Sequence, residues 1–258
     1  MKKENNILDK FYSIIFITIF IITWQILASN NKINTFHFSS PIEIIKDLIL
    51  LFKTGEIWPH IKATFGVSLI GLFYGTISGV VVAFLFGNFK ILPKILDPIL
   101  VGLYGLPKLA LGPLFIIWFG IGIEAKIFMS TIMVFFLVFF NAYAGFRNTD
   151  VDLISTLRLM GASELQIIMK VTLPSCIPWI AASLRAGAGS AVMGTIVGEY
   201  LGSNKGIGWM IQSAGGVYNI TRVLSCIFIL VFMMSVIDRL LKLLEKNILS
   251  WRQENSQI

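Results

Sequence analysis

Apolar stretches long enough to cross a bilayer recur along this chain, and in hydrocarbon a backbone can satisfy its own polar groups only as a helix or a closed barrel. The first such run, Phe11 to Ala28, would measure roughly 27 Å as a helix, close to the thickness of a hydrocarbon core. It follows Lys2, Lys3 and Lys10 and exceeds the usual apolar length of a signal peptide. No small-x-small cleavage site closes it, since Leu27, Ala28 and Ser29 match poorly, so it is expected to be a retained helix. Composition agrees: of 258 residues 56% are hydrophobic and only 14% charged, against about 25% charged in soluble domains. One membrane domain accounts for nearly all of the length.

Further spans are expected at 63–87, 95–119, 125–143 and 177–197, with a sixth starting at Val223. Pro107 and Pro113 interrupt the third span, which should bend or break there. Between the first two spans, 29–62 is polar, and Ser39-Ser40-Pro41 introduces an amphipathic helix over Ile42 to Lys53 that should lie on a surface. The resulting organisation is an N-terminal tail (1–10), a first helix (11–28), an extracytoplasmic segment (29–62), a membrane core (63–238) with a polar coupling region at about 150–175, and an amphipathic tail (239–258).

Six spans put both termini on one side, and basic residues are retained in cytoplasmic segments. With the termini inside, inner segments hold twelve Lys and Arg, Lys90 and Arg252 among them, and outer segments seven; Lys108 and Arg185 fall within spans, completing the 21. The termini and the 144–175 segment are therefore expected in the cytoplasm of a bacterial cell. A formal charge of +7 could suggest nucleic acid, but a duplex binder would gather its bases on one face. Here they are scattered between apolar runs, so inner-leaflet phospholipid is the expected acidic neighbour and no nucleic acid is.

Helices in lipid associate through close backbone approach, which small residues four apart make possible. Gly71, Gly75 and Gly79 form such a stripe in the second span, and Ala182, Ala186, Ser190, Gly194 and Gly198 another in the fifth. These two helices are expected to be the most tightly packed. Arg185 and Glu199 flank the second stripe, and an ionisable residue inside a span costs about 2.5–3.5 kcal/mol on insertion scales unless it finds a polar cavity or a partner. Fourteen residues, roughly 21 Å of helix, keep the two from neutralising each other. Each needs another partner or water; for Arg185, snorkelling to the cytoplasmic surface is the alternative.

Several chemistries are excluded. There is no G-x-x-x-x-G-K-[ST] phosphate loop, and Gly187-Ala188-Gly189 and Gly206-Ile207-Gly208 lack the third glycine of a dinucleotide fingerprint. His37 and His60 have no Glu or Cys at metal spacing, and Cys176 and Cys226 form neither a redox pair nor a metal set. No cofactor, no metal and no catalytic set is expected.

The informative stretch is STLRLMGASELQIIMKVTLPSCIPWIAASLRAG, from Ser155 to Gly187. Its pattern gives a helix over 151–160, a left-handed break at Gly161, and a second helix with Ser163 as N-cap and Glu164 in its first turn. Leu173-Pro174 is expected to end that helix. Such an elbow can receive a push from a partner and pass it to the fifth span; the alternative is an amphipathic hairpin resting on the membrane.

These residues resemble the permease subunits of ATP-binding-cassette importers, in the branch with nitrate, sulfonate, taurine and thiamine-precursor permeases. The family signature is Glu-Ala-Ala, three residues, Gly, nine residues, Ile, one residue, Leu-Pro; here Gly161, Val171 and Leu173-Pro174 keep that register, while Ser155-Thr156-Leu157 replaces the triplet. SSPIEIIKDL at Ser39, GEIWPHIKAT at Gly55, LDPIL at Leu96, GPLFIIWFGIG at Gly112, NAYAGFR at Asn141, GEYLGSNKGIGWMI at Gly198 and the Trp251-Arg252 tail are similar to the same branch. The resemblance implies an all-α, six-helix type I importer transmembrane domain with a cytoplasmic coupling helix. It also implies a homodimer working with two ATPase subunits and an extracytoplasmic substrate-binding protein, and not itself an enzyme.

On this reading Ser155, Thr156, Leu157, Arg158, Gly161, Ala162, Ser163 and Glu164 dock the ATPase, while Arg185, Ser190, Glu199, Lys108 and Asn141 line the translocation path or its gates. The rival is a secondary transporter that runs without nucleotide; the Pro-interrupted third span has no counterpart in the sixth, as internal repeats would require.

Overall fold

The computed structural model describes the backbone of residues 2–89 and 91–248 and the side chains of 11–89 and 91–247. Lys90, Trp251 and Arg252 lie outside the described residues, as do the side chains of Lys2, Lys3 and Lys10. All regular structure in the described residues is helical. Among the described residues five helices are long and apolar enough to cross a membrane, and a pair bent by 87°, Ile91–Gly105 and Lys108–Phe119, is so only when its two halves are taken together.

The chain opens with α1 (Lys2–Ser29), the short α2 (Thr35–Phe38) and α3 (Pro41–Thr54). Helix α3 starts where the sequence suggested: the Ser40 hydroxyl accepts the Glu43 N–H at 3.3 Å, Pro41 occupies the first turn, and Gly55 closes the helix at φ +75°. It buries Ile44 and Leu51, so it packs on the body as well as on its surroundings. α4 (Ile57–Asn88) begins about one and a half turns before the expected start at 63.

The break in the third span falls at Pro107. There α5 (Ile91–Gly105) gives way to a 3-10 turn, Lys108–Leu111, and then to α6 (Gly112–Phe119). Pro113 causes no break, since it sits in the first turn of α6, where its missing N–H has no helical partner to lose. Gly120, at φ +77°, turns the chain into α7 (Ile123–Arg147). Then come α8 (Val151–Leu159), α9 (Glu164–Ile167), a π turn (Ile168–Thr172), α10 (Leu173–Leu201), α11 (Ile207–Gly216) and α12 (Ile220–Ile248).

Leu173-Pro174 does not end the helix after Gly161, contrary to the sequence expectation. A π turn is one residue wider than an α turn, so the missing donor of Pro174 and the bulk of its ring are accommodated within a continuous Glu164–Leu201 rod.

The two glycine-striped helices share one partner. Neither uses the other as its main partner; both close on α7. A Cβ at Gly75 would meet Val134 and the Thr131 carbonyl, and one at Gly79 would meet Val138 and the backbone of Phe135 and Phe139. Gly71 lies against Ser130 from one side and Gly194 against the Ser130 backbone from the other, while the Ser130 hydroxyl donates to the Ala191 carbonyl at 2.9 Å. Gly198 continues this contact along Lys126. On α7 the matching surface is built from Ser130, Val134 and Val138, which carry no small-residue signature.

On α10, Gly194 and Gly198 are buried and Ser190 half-buried, but Ala182 and Ala186 are exposed. Residues four apart advance about 40° beyond a full turn, so five of them drift by about 160° around the helix. The far end of the stripe therefore leaves the core.

Candidate translocation face and the Gly161 elbow

The elbow is built from local caps. The Asp150 carboxylate accepts the Asp152 and Leu153 N–H groups at 2.9 and 3.2 Å to start α8. Gly161, at φ +82°, reverses the chain in a region that a side chain would disfavour. Ser163 and Gln166 form a reciprocal capping box at the start of α9. Glu164, expected only to favour the helix N-terminus, also clasps Arg158 across the turn through two parallel bonds of 2.8 and 2.9 Å.

Ser155 and Thr156 donate back to carbonyls of their own helix, Leu157 and Ala162 are half-buried, and Ile167 anchors the elbow in the body. The tip is apolar and bare, with Leu159 90% exposed and Met160 77%.

Of the residues nominated for a path, two meet. Lys108 and Ser190 line one open cavity of about 380 Å³ with Tyr104, Met133 and Leu137. The Lys108 ammonium donates to the Tyr104 carbonyl at 2.8 Å and lies 4.6 Å from the Tyr104 ring centre and 5.1 Å from that of Phe136. Asn141, one turn beyond Leu137, folds back to donate to the Leu137 carbonyl at 2.7 Å. Further toward the elbow end, Asp97, Tyr143, Arg147 and Asn148 line a second cavity of about 500 Å³.

Arg185 stands apart from this group. Its guanidinium lies 3.5 Å from Asp238 and 3.2 Å from Glu245, both on α12, and Asp238 also holds Lys242 at 2.6 Å. It therefore finds ionic partners rather than water alone.

Glu199 lies at the opposite end of α10, 1% exposed, with both oxygens engaged inside the protein. One accepts the Thr64 hydroxyl and the other the Gly208 N–H, each at 2.8 Å. The Thr64 oxygen accepts the Ile207 N–H at 2.8 Å, and His60 stacks on Trp209 at 5.4 Å. The two glycines of Gly206-Ile207-Gly208 are needed because a Cβ at either would meet the Glu199 side chain. Glu199 thus fixes the start of α11 against α4.

Sequence reasoning missed several members of these groups: Tyr104, Phe136, Thr64, Gly208 and the acidic pair Asp238 and Glu245, which sit seven apart on one face of α12. It also missed Arg222, which joins Asp47 at 2.9 Å and Glu56 at 3.1 Å and so ties the start of α12 to α3 and the start of α4.

Comparison with known proteins identifies the architecture. The chain is 31% identical over 234 residues to the putative aliphatic sulfonates transport permease protein SsuC of Bacillus subtilis, covering 91% of this chain and 85% of that one. It is 29% identical to the formylaminopyrimidine transport permease protein ThiX of Halalkalibacterium halodurans, covering 93% and 95%. It is 28% identical to the taurine transport system permease protein TauC of Escherichia coli, covering 92% and 88%. A chain of the MetNI methionine ABC transporter in an inward-facing conformation shares the fold, with a TM-score of 0.65 at 20% identity over 73% of this chain and 94% of that one. Residues 75–250 match the profile of the binding-protein-dependent transport system inner membrane components. The glycine-clasped helices, the capped elbow and this match agree: the chain belongs to that family and is a multi-pass inner-membrane permease subunit of an ABC importer.

Proposed function

We propose that two copies of this chain enclose the path of a small solute, a sulfonate-, nitrate- or taurine-like anion or a thiamine-precursor pyrimidine. An extracytoplasmic binding protein delivers it, and two separate ATPase subunits, which carry all the hydrolytic chemistry, drive it across. The elbow and both termini face the cytoplasm, and 29–62 and the Glu199 node face outward. The observation that carries this reading is the elbow itself, a rigidly capped turn with an apolar tip leading into an unbroken helix.

A ligand shifts a conformational equilibrium only through its differential affinity for two states, so ATP acts on the permease through a partner that changes shape on binding it. The Ser155 to Glu164 turn receives that motion. Because the Glu164–Leu201 rod runs 38 residues, roughly 57 Å, displacement at the elbow reaches the node where Glu199 holds α11. Arg185 and Glu199 then serve as fastenings at the two ends of the rod, and Lys108, Ser190 and Asn141 face the path.

The test is the double substitution Leu159→Asp with Met160→Asp. The protein should still insert and purify from membranes, yet lose its co-purifying ATPase and any ATP-driven uptake. Full retention of the ATPase by that variant would remove the docking assignment.

A further inference from the structure

Of the two cations that the sequence places within spans, the structure neutralises one and leaves the other. Arg185 has Asp238 and Glu245. Lys108 has no carboxylate within ion-pair distance among the described residues; an ammonium carries three donors, and one of them is used, on the Tyr104 carbonyl. The rings of Tyr104 and Phe136 shield its charge without cancelling it.

Its depth follows from register. The cavity it lines includes Met133 and Leu137 of α7, which straddle the middle of that helix, so the site lies roughly 18 Å from either end, the level of the bilayer midplane for a helix that crosses it. A full positive charge held there must face a polar cavity or a partner, because lipid tails offer neither. The cavity holds about 380 Å³ and is lined by Ser190 as well as Lys108, within the size range of small-molecule sites. The neighbouring cavity is lined by charges of both signs, Asp97 and Arg147, whereas Lys108 is, among the described residues, the one charged residue lining its own.

Resting on the importer reading above, we propose that Lys108, with Ser190 and the Tyr104 and Phe136 rings, is a midplane counter-ion station that holds the anionic group of the solute, a sulfonate or carboxylate, as it crosses. It selects against cations and leaves the remainder of the solute unrecognised.

The test uses charged thiol reagents on the assembled permease–ATPase complex, with Ser190→Cys introduced after the buried Cys176 and Cys226 are changed to Ala. Rates with anionic 2-sulfonatoethyl and cationic 2-trimethylammonioethyl methanethiosulfonate are each normalised to the rate with free 2-mercaptoethanol. The anion should be favoured, Lys108→Gln should lower the anion-to-cation ratio about tenfold or more, and Lys108→Arg should keep it. Millimolar ethanesulfonate should slow the labelling when Lys108 is present and not in Lys108→Gln. Met133→Cys reports on the same cavity if the first variant fails to assemble. A ratio indifferent to Lys108→Gln, an absence of labelling at both positions, or labelling that ethanesulfonate never slows would each overturn the station. ATPase binding is measured on the same preparations; its loss alongside an intact charge preference would count against the importer reading and not against the station.

Discussion

Ser130 is the point at which two helices press on a third, and its neighbours leave no room for a methyl group. Gly71 and Gly194 approach it from opposite sides, and a Cβ at Gly71 would overlap the Ser130 side chain. Gly71→Ala should therefore destabilise the fold by about 1–3 kcal/mol, the usual cost of overpacking, whereas Gly102→Ala, where a Cβ would meet nothing within 4 Å, should be neutral. Thermal unfolding of the two variants in detergent measures the difference. Glu199 illustrates the polar counterpart. Its replacement by Ala leaves the Gly208 N–H and the Thr64 hydroxyl buried without their acceptor, at about 1–3 kcal/mol for each group. Amide exchange at Gly208 and Ile207 should quicken in Glu199→Ala while membrane insertion is kept; unchanged exchange would mean that the carboxylate does not hold α11. That Glu199 and Arg185 each required a partner was legible from their place in apolar runs. Which partner was not, because Thr64, Asp238 and Glu245 come from helices whose rotation no local pattern specifies.

At the scale of the helix, the signals that read well were those fixed by a few adjacent residues: Ser40-Pro41, the left-handed Gly161, the Ser163 cap and the break at Pro107. The misreadings came from properties of longer segments. Pro174 was expected to stop a helix, and instead a π turn carries the chain past it; the five-residue stripe of α10 was read as one face, although its four-residue spacing winds around the helix. The π turn sets how the elbow is rotated about the axis of α10, since it amounts to one residue inserted into an α-helix. Deleting Met169, together with Pro174→Ala to remove the ring clash that an α turn would impose, should turn the elbow by about 100° relative to α10. Helix content by circular dichroism should be nearly unchanged, while ATP hydrolysis in the assembled complex should no longer respond to the loaded binding protein. A fully responsive complex would show that elbow orientation is not what the ATPase reads.

For the whole molecule, polarity separates two faces of the single chain. One is purely apolar: Leu48, Phe52, Trp58, Phe65, Phe228 and Phe232 border a groove of about 560 Å³ between α3, α4 and α12, a surface that lipid tails can cover at no cost. The other carries the cavity of Lys108 and Ser190 and that of Asp97 and Arg147, both bordered by α7, and the exposed Ala182 and Ala186, two turns and one turn from Ser190 on α10. Leaving Lys108 against lipid would cost about 2.5–3.5 kcal/mol on insertion scales, and the small side chains beside it permit another backbone to come close. On the proposed arrangement of two copies, a two-fold axis beside this face would cover it and leave the cavities between the subunits as a polar passage. Ala186→Cys, in protein whose native cysteines are replaced by Ala, should therefore give a disulfide-linked dimer on mild oxidation in membranes. Phe232→Cys, 72% exposed on the apolar face, should give none. The reverse pattern would place the subunit contact on the aromatic groove and leave a midplane lysine facing hydrocarbon, which the insertion cost argues against.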